Sequence, residues 1–213
     1  MTKKHPWIEN SDVLLVFPTH VWKIQLASKA AGSANKNILR ALNTVRPLPN
    51  VLQRGESWQS NQDLHRLDES RELVSYINDT VKTILRFLKI SYDAFEITGC
   101  WATINSRETA HKMHNHPNNY LSGVYYVQTQ AGADTINLHD PRIQTGIIRP
   151  PVTELTAGNT DQVVVKVSPG TLLISPSYLQ HSVDSNTNTE ERLSVSFNIM
   201  FSSFTEKLSK PLW

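Results

Sequence analysis

Between residues 97 and 201 the chain breaks into a series of short β-prone runs, and no other feature restricts its fold as tightly. They are Ile97–Ile104, Leu121–Gln128, Thr135–Leu138, Gln162–Val167, Thr171–Ile174 and Leu193–Phe201. Asn118-Asn119, Gly132, Pro150-Pro151, Gly158-Asn159 and Pro169-Gly170 punctuate them. Many short strands at this spacing suit an antiparallel sandwich or small barrel; βαβ units would need a helix between successive strands.

The N-terminal half reads differently. Val13–Phe17 is expected to be a first strand, stopped by Pro18. After Gly32-Ser33, Ala34 to Val45 has helical spacing with Ile38, Leu39 and Leu42 on one face, and Pro47 and Pro49 end it. The strongest helix is Glu69 to Lys89, where Leu73, Val74, Ile77, Val81, Ile84, Leu85 and Leu88 form one apolar stripe, with Asp68 as the N-cap. The expected architecture is an all-β core with added helices. The helices come first, then a double-sheet β domain, the long helix lying on the outer face of one sheet.

Composition closes other routes. At 213 residues, 39% hydrophobic and 19% charged, the chain suits one domain with an extra N-terminal helical layer. The lone Cys100 excludes a disulfide framework, a Cys-rich zinc module and a CxxC redox site. A net charge of +2 without a basic block gives no footprint for nucleic acid. No apolar run approaches the roughly 18–20 residues that span a bilayer, and Met1–Trp7 lacks the apolar region of a signal peptide. A soluble cytoplasmic protein is expected.

Three histidines, His111, His114 and His116, fall close together in His111-Lys112-Met113-His114-Asn115-His116-Pro117. On an extended strand, residues two apart share a face, so His114 and His116 can converge while His111 faces elsewhere. Two imidazoles on one face make half of a metal site. Solvated histidines at a strand end would explain the pair equally well. Farther on, Pro169-Gly170 opens an apolar strand, Ser177–Val183 contains His181, and Arg192–Asn198 alternates. Arg192, Ser194 and Ser196 occupy one face of that last strand, Leu193, Val195 and Phe197 the other. A buried arginine is costly unless it meets an anion, and a small-molecule carboxylate would serve. An internal Arg–Asp pair, or an edge strand facing water, would also explain it.

Taken together, these pieces resemble the Fe(II)- and 2-oxoglutarate-dependent oxygenases, in a bacterial and phage branch of uncertain substrate. The matching residues are His114–Pro117 followed by Leu121–Val127, Asp140-Pro141-Arg142, Pro169–Leu173, Pro176-Ser177 with His181–Val183, and Arg192 to Asn198. The resemblance spans roughly residues 97–201, with a weaker echo at Phe17–Thr19 and Trp58–Ser60. It implies a double-stranded β-helix, a cupin-like jelly-roll, within a single domain 1–213, with a strand and supporting helices over 1–95 and the jelly-roll over 96–204. It implies Fe(II) held by His114, His116 and His181, and 2-oxoglutarate as cosubstrate. Arg192 would grip the far carboxylate of 2-oxoglutarate, helped by Ser194 and Tyr126. The implied reaction consumes O₂, hydroxylates a small-molecule or peptide substrate, and releases succinate and CO₂.

His116 departs from the family, which places a carboxylate there. Either an imidazole replaces it as ligand, or His116 stands behind the metal and Asp140 or Glu108 completes the site. The competing function is a cupin-like metal-binding module without oxygenase activity, which needs no carboxylate clamp at Arg192. Smaller expectations are a turn histidine at His139, core or pocket-wall roles for Trp58 and Trp101, and an inert buried thiol at Cys100. Asn105 and Asn118 flank the histidine segment within reach of substrate. Glu9–Arg66 and Asp140–Asp161 are expected to shape the cleft mouth.

Overall fold

The structure, a computed structural model, describes residues 7–46, 52–142 and 147–205. Pro47, Pro49 and the first six residues, on which some of the expectations fall, lie outside them. The described chain is mostly β, with few helices. In order it forms β1 (Trp22–Gln25), α1 (Ser28–Val45), β2 (Ser57–Gln59), α2 (Arg71–Phe87), β3 (Phe95–Asn105), β4 (His111–His114) and β5 (Leu121–Gln128). Then follow β6 (Thr135–His139), β7 (Gln162–Lys166), β8 (Thr171–Pro176), β9 (His181–Val183) and β10 (Arg192–Phe201). Two sheets result, β1-β8-β5-β10-β3-β2 and β4-β9-β6-β7, with every pair of neighbouring strands antiparallel.

Alternation along the large sheet's strands separates two environments. On one face Cys100, Ala102 and Ile104 of β3, Leu121, Tyr125 and Val127 of β5, Leu172 and Ile174 of β8, and Leu193, Val195 and Phe197 of β10 are buried. They share a single cluster with Ala34, Ile38 and Leu42 of α1 and Leu73, Ile77, Val81, Ile84 and Leu85 of α2. The other face looks toward the small sheet, where Tyr126, Leu173, Ile136, Val167 and Val183 make a second, smaller cluster. Most apolar burial thus lies under the helices, which leaves the space between the sheets free to hold polar groups.

Several expected boundaries move. Val13–Phe17 forms no strand: its side chains are exposed, Phe17 to 93%, and Phe17 takes a left-handed φ of 56° that breaks an extended run. The strand at this end is Trp22–Gln25, which finds a partner in β8. Helix α1 begins at Ser28, ahead of Gly32, because Gly32 is tolerated inside a helix whose Ala31 and Ala34 pack inward. Asp68 is not an N-cap; it opens a 3-10 turn, Asp68–Ser70, and pairs with Arg71. Helix α2 stops at Phe87 through Lys89, left-handed at φ 54°, while the Ile90 N–H reaches back to the Leu85 carbonyl at 3.0 Å. Trp22–Gln25, Ser57–Gln59, His111–His114 and His181–Val183 are strands without a strong β signature, each supported by a neighbouring strand.

Candidate metal centre and carboxylate pocket

Strand β4 and the loop after it bring two histidines to the mouth between the sheets, and β9 brings a third. His114 pairs with His181 across β4 and β9. His116 lies past the strand end, its backbone N–H bonded to the Ser177 carbonyl at 3.0 Å. The ring centroids stand 4.4 Å apart for His114–His181 and 5.2 Å for both His114–His116 and His116–His181. One nitrogen from each ring falls within 4.8 Å of the others. Nitrogens that share one ion at about 2.1 Å stand at most about 4.2 Å apart, so small ring rotations close the cluster.

The backbone prepares two of these rings. His114 Nδ1 lies 2.7 Å from the Lys112 carbonyl and His181 Nδ1 lies 3.0 Å from the Leu179 carbonyl. A carbonyl only accepts, so each Nδ1 carries a proton, and in the neutral imidazole the lone pair then falls on Nε2. Burial, together with the neighbouring imidazoles, holds His116 down at about 4, and burial also lowers His181. Both rings are therefore neutral at pH 7, the form that coordinates a metal.

His111 corrects the sequence expectation. Its ring lines the same cavity, although it stands an odd number of positions from His114. Between the pairs His111↔Val183 and His114↔His181, β4 advances three residues while β9 advances two. That bulge turns His111 back to the inner face. His116, conversely, reaches the cluster from a loop and not by strand alternation. Asp140 and Glu108 stay away from the cluster: Asp140 pairs with Arg142 and Glu108 with Arg54, and neither lines the cavity.

The cavity, open to solvent, runs from this cluster to Arg192. Arg192, Ser194 and Ser196 of β10 line it, as the alternation predicts, and so does Tyr126 of β5, the cross-strand partner of Ser194. Arg192 is only 4% exposed. Its Nε has no hydrogen-bond partner, and no described carboxylate pairs with it. Burial lowers the Arg192 pKa and pushes the Tyr126 phenol up to about 12, so the tyrosine keeps its proton. A buried cation with unspent donors, walled by a hydroxyl and a phenol, is a receptor for an anion.

The remaining expectations resolve by strand face. Trp101 and Gln59 line the cavity, and Trp101 lies 6.0 Å from His116. Trp58 packs against the helical core. His139 belongs to β6 and bonds Ser182 Oγ at 2.9 Å, on the face opposite Leu138, which lines the cavity. Cys100 is buried and its thiol is pushed up to about 12 by burial. Asn105, Asn118 and the described part of Asp140–Asp161 do not line the cavity wall, Asn105 lying behind it against His111. Leu173, Ile136 and Leu138, lining residues that sequence reasoning did not single out, look like ordinary strand interior, and only their position between the sheets marks them.

Residues 99–198 match the model of a family described as "Putative 2OG-Fe(II) oxygenase". No curated protein matches the chain. Among solved structures, the chain resembles the non-heme α-ketoglutarate-dependent carbocyclase SnoK from nogalamycin biosynthesis, at TM-score 0.62 and 14% identity, covering 92% of this chain and 89% of that one. It also resembles HygX from Streptomyces hygroscopicus, solved with nickel and 2-oxoglutarate bound, at TM-score 0.61 and 14% identity over 86% and 83% of the two chains. A Pseudomonas putida prolyl-4-hydroxylase gives TM-score 0.58 and 13% identity over 86% and 93%. At these identities the likeness is one of fold, the jelly-roll of such oxygenases.

Proposed function

We propose that this protein, whose residues 99–198 match the model of a family described as "Putative 2OG-Fe(II) oxygenase", is an Fe(II)- and 2-oxoglutarate-dependent oxygenase. It hydroxylates a small-molecule or peptide substrate, consuming O₂ and releasing succinate and CO₂. Residues 1–95, as strand plus supporting helices, and residues 96–204, as the jelly-roll core, make one domain, a reading supported by the buried cluster that α1 and α2 share with the large sheet. No helix among the described residues is long and apolar enough to cross a membrane.

His114, His116 and His181 would hold the iron, which would supply the oxidising power of the reaction. The protein's part is placement. His114 and His181 are pre-aimed by their carbonyl partners, and neutral His116 stands where the family has a carboxylate. Arg192 and Ser194 bind the distal carboxylate of 2-oxoglutarate, and the protonated Tyr126 adds a donor. Trp101 shields the cluster on the His116 side.

A three-imidazole site alone would equally suit a cupin-like binding module. The observation that favours the oxygenase is Arg192, buried, unpaired by any described carboxylate and open to the cavity. The test is succinate release from 2-oxoglutarate with and without Fe(II). Slow Fe(II)-dependent turnover without added substrate is expected, rising with the right member of a substrate panel. Metal binding without any 2-oxoglutarate affinity or turnover would return the protein to the binding-module class.

A further inference from the structure

Arg192 is not the sole buried donor at its end of the cavity. Asn105, on the adjacent strand, is its direct antiparallel partner. Paired residues project from the same face with their Cβ atoms about 4.5–5.5 Å apart. On β3 the neighbours Cys100, Ala102 and Ile104 belong to the helical core, while Trp101 and Thr103 line the cavity. Alternation therefore places the Asn105 side chain on the same face of the sheet as Arg192, directly behind the wall that Thr103, His111 and Arg192 form. Asn105 is 1% exposed, and its Nδ2 has no hydrogen-bond partner. An amide N–H left unpaired in the interior is costly, so it marks a place where an acceptor is expected.

The rest of the residue is held in place. The Asn105 carbonyl accepts from Asn186 Nδ2 at 3.3 Å, and Asn105 Oδ1 lies 3.2 Å from His111 Nε2. Oδ1 only accepts, so the imidazole N–H donates, and the amide is locked with Oδ1 toward His111 and Nδ2 away from it. His111 reaches this position only because of the bulge in β4. Two buried donors without partners, Arg192 Nε and Asn105 Nδ2, thus sit side by side on paired strands. A carboxylate, with two oxygens and about four lone-pair directions, can accept from both.

We infer that Asn105 is a second donor to the carboxylate bound by Arg192, and that His111 positions its amide for that contact. The anion's identity as the distal carboxylate of 2-oxoglutarate rests on the function proposed above. The experiment is calorimetric titration of the full-length, Mn(II)-loaded protein with 2-oxoglutarate and, separately, with 2-oxobutyrate, which lacks the distal carboxylate. Asn105→Ala and the near-isosteric Asn105→Asp, which sets an anion beside Arg192, are each expected to weaken 2-oxoglutarate about tenfold or more. Neither should change the affinity for 2-oxobutyrate or Mn(II). His111→Phe should share the loss, and His111→Gln, whose amide can donate to Oδ1, should restore affinity. Wild-type 2-oxoglutarate affinity in both Asn105 variants, alongside a loss in Arg192→Ala, would overturn the inference and leave the oxygenase reading intact. If the wild type does not bind 2-oxoglutarate, or Arg192→Ala binds it normally, the reading of the pocket fails and the inference with it. Should Asn105→Ala not fold, judged by its melting curve, Asn105→Asp decides.

Discussion

Arg192 shows how much one side chain can determine here. A charge-assisted bond to a carboxylate is worth roughly 1.5–3 kcal/mol, and Arg presents it through a planar fork that Lys lacks. Arg192→Lys is therefore expected to raise the 2-oxoglutarate KM markedly with a smaller effect on kcat, and Arg192→Ala to raise it further, about 10- to 100-fold. Steady-state kinetics run beside thermal melting separates lost binding from lost folding; an unchanged KM in both variants would remove the clamp. His111 makes a pH prediction of the same kind. Burial, and after it the Arg192 charge, holds its pKa at about 4 in the folded chain, against about 6.5 for a free histidine. Between those values the unfolded chain binds a proton that the folded chain refuses, so stability must fall as pH drops from about 6.5 toward 4. Melting temperature for the metal-free protein should fall as pH drops through that window, and His111→Gln should lessen the slope, His116 and His181 supplying the remainder.

At the scale of elements, the site depends on two exceptions to regular pairing, one in each sheet, and the large sheet depends on one glycine. The bulge in β4 aims His111 inward, and a second irregularity between Leu193 and Ser194 sets Ser194 against Tyr126. Gly123 of β5 pairs with Phe197 of β10, and a Cβ there would lie 2.3 Å from the Phe197 ring and 2.9 Å from the Leu173 carbonyl. The phenylalanine covers the glycine and closes the core beneath the sheet. Overpacking of this kind costs about 1–3 kcal/mol, so Gly123→Ala should lower the melting temperature by several degrees. Gly32→Ala is the control: nothing lies within 4 Å of its Cβ position, and in a helix it should be neutral or stabilising. Equal melting curves for the two variants would contradict the packing.

For the whole molecule, a metal held by the three imidazoles as proposed would couple binding to folding, because they come from β4, its following loop and β9. A metal that binds only the folded chain stabilises it by about 2.7 kcal/mol at a hundred times its Kd. For a chain of this size that is a rise of roughly 5–11 °C in melting temperature. Adding Ni(II) or Zn(II) to the metal-free protein should produce such a rise and EDTA should reverse it. His181→Ala should abolish it, whereas His116→Asp should keep it; a shift that survives His181→Ala would place the metal elsewhere. The same distances along the chain explain what could be read from residue order. Strand propensity, turn residues and the apolar stripe of α2 are local, so the mostly β character, the long helix and most strand cores were legible. Alternation singled out Arg192 and Ser194 and paired His114 with His116, while His181 and Tyr126 came from the family resemblance; all six line one cavity. Local signals failed where a partner decides. Val13–Phe17 has strand propensity and no described strand to pair with, while β1, β2, β4 and β9 have weak propensity and a neighbour that holds them. The inward turn of His111, and its bond to Asn105, exist only because β4 carries one residue more than β9 across their pairing. Register between strands some 70 residues apart in the chain is settled by hydrogen bonding and packing in the folded sheet, and no local pattern encodes it.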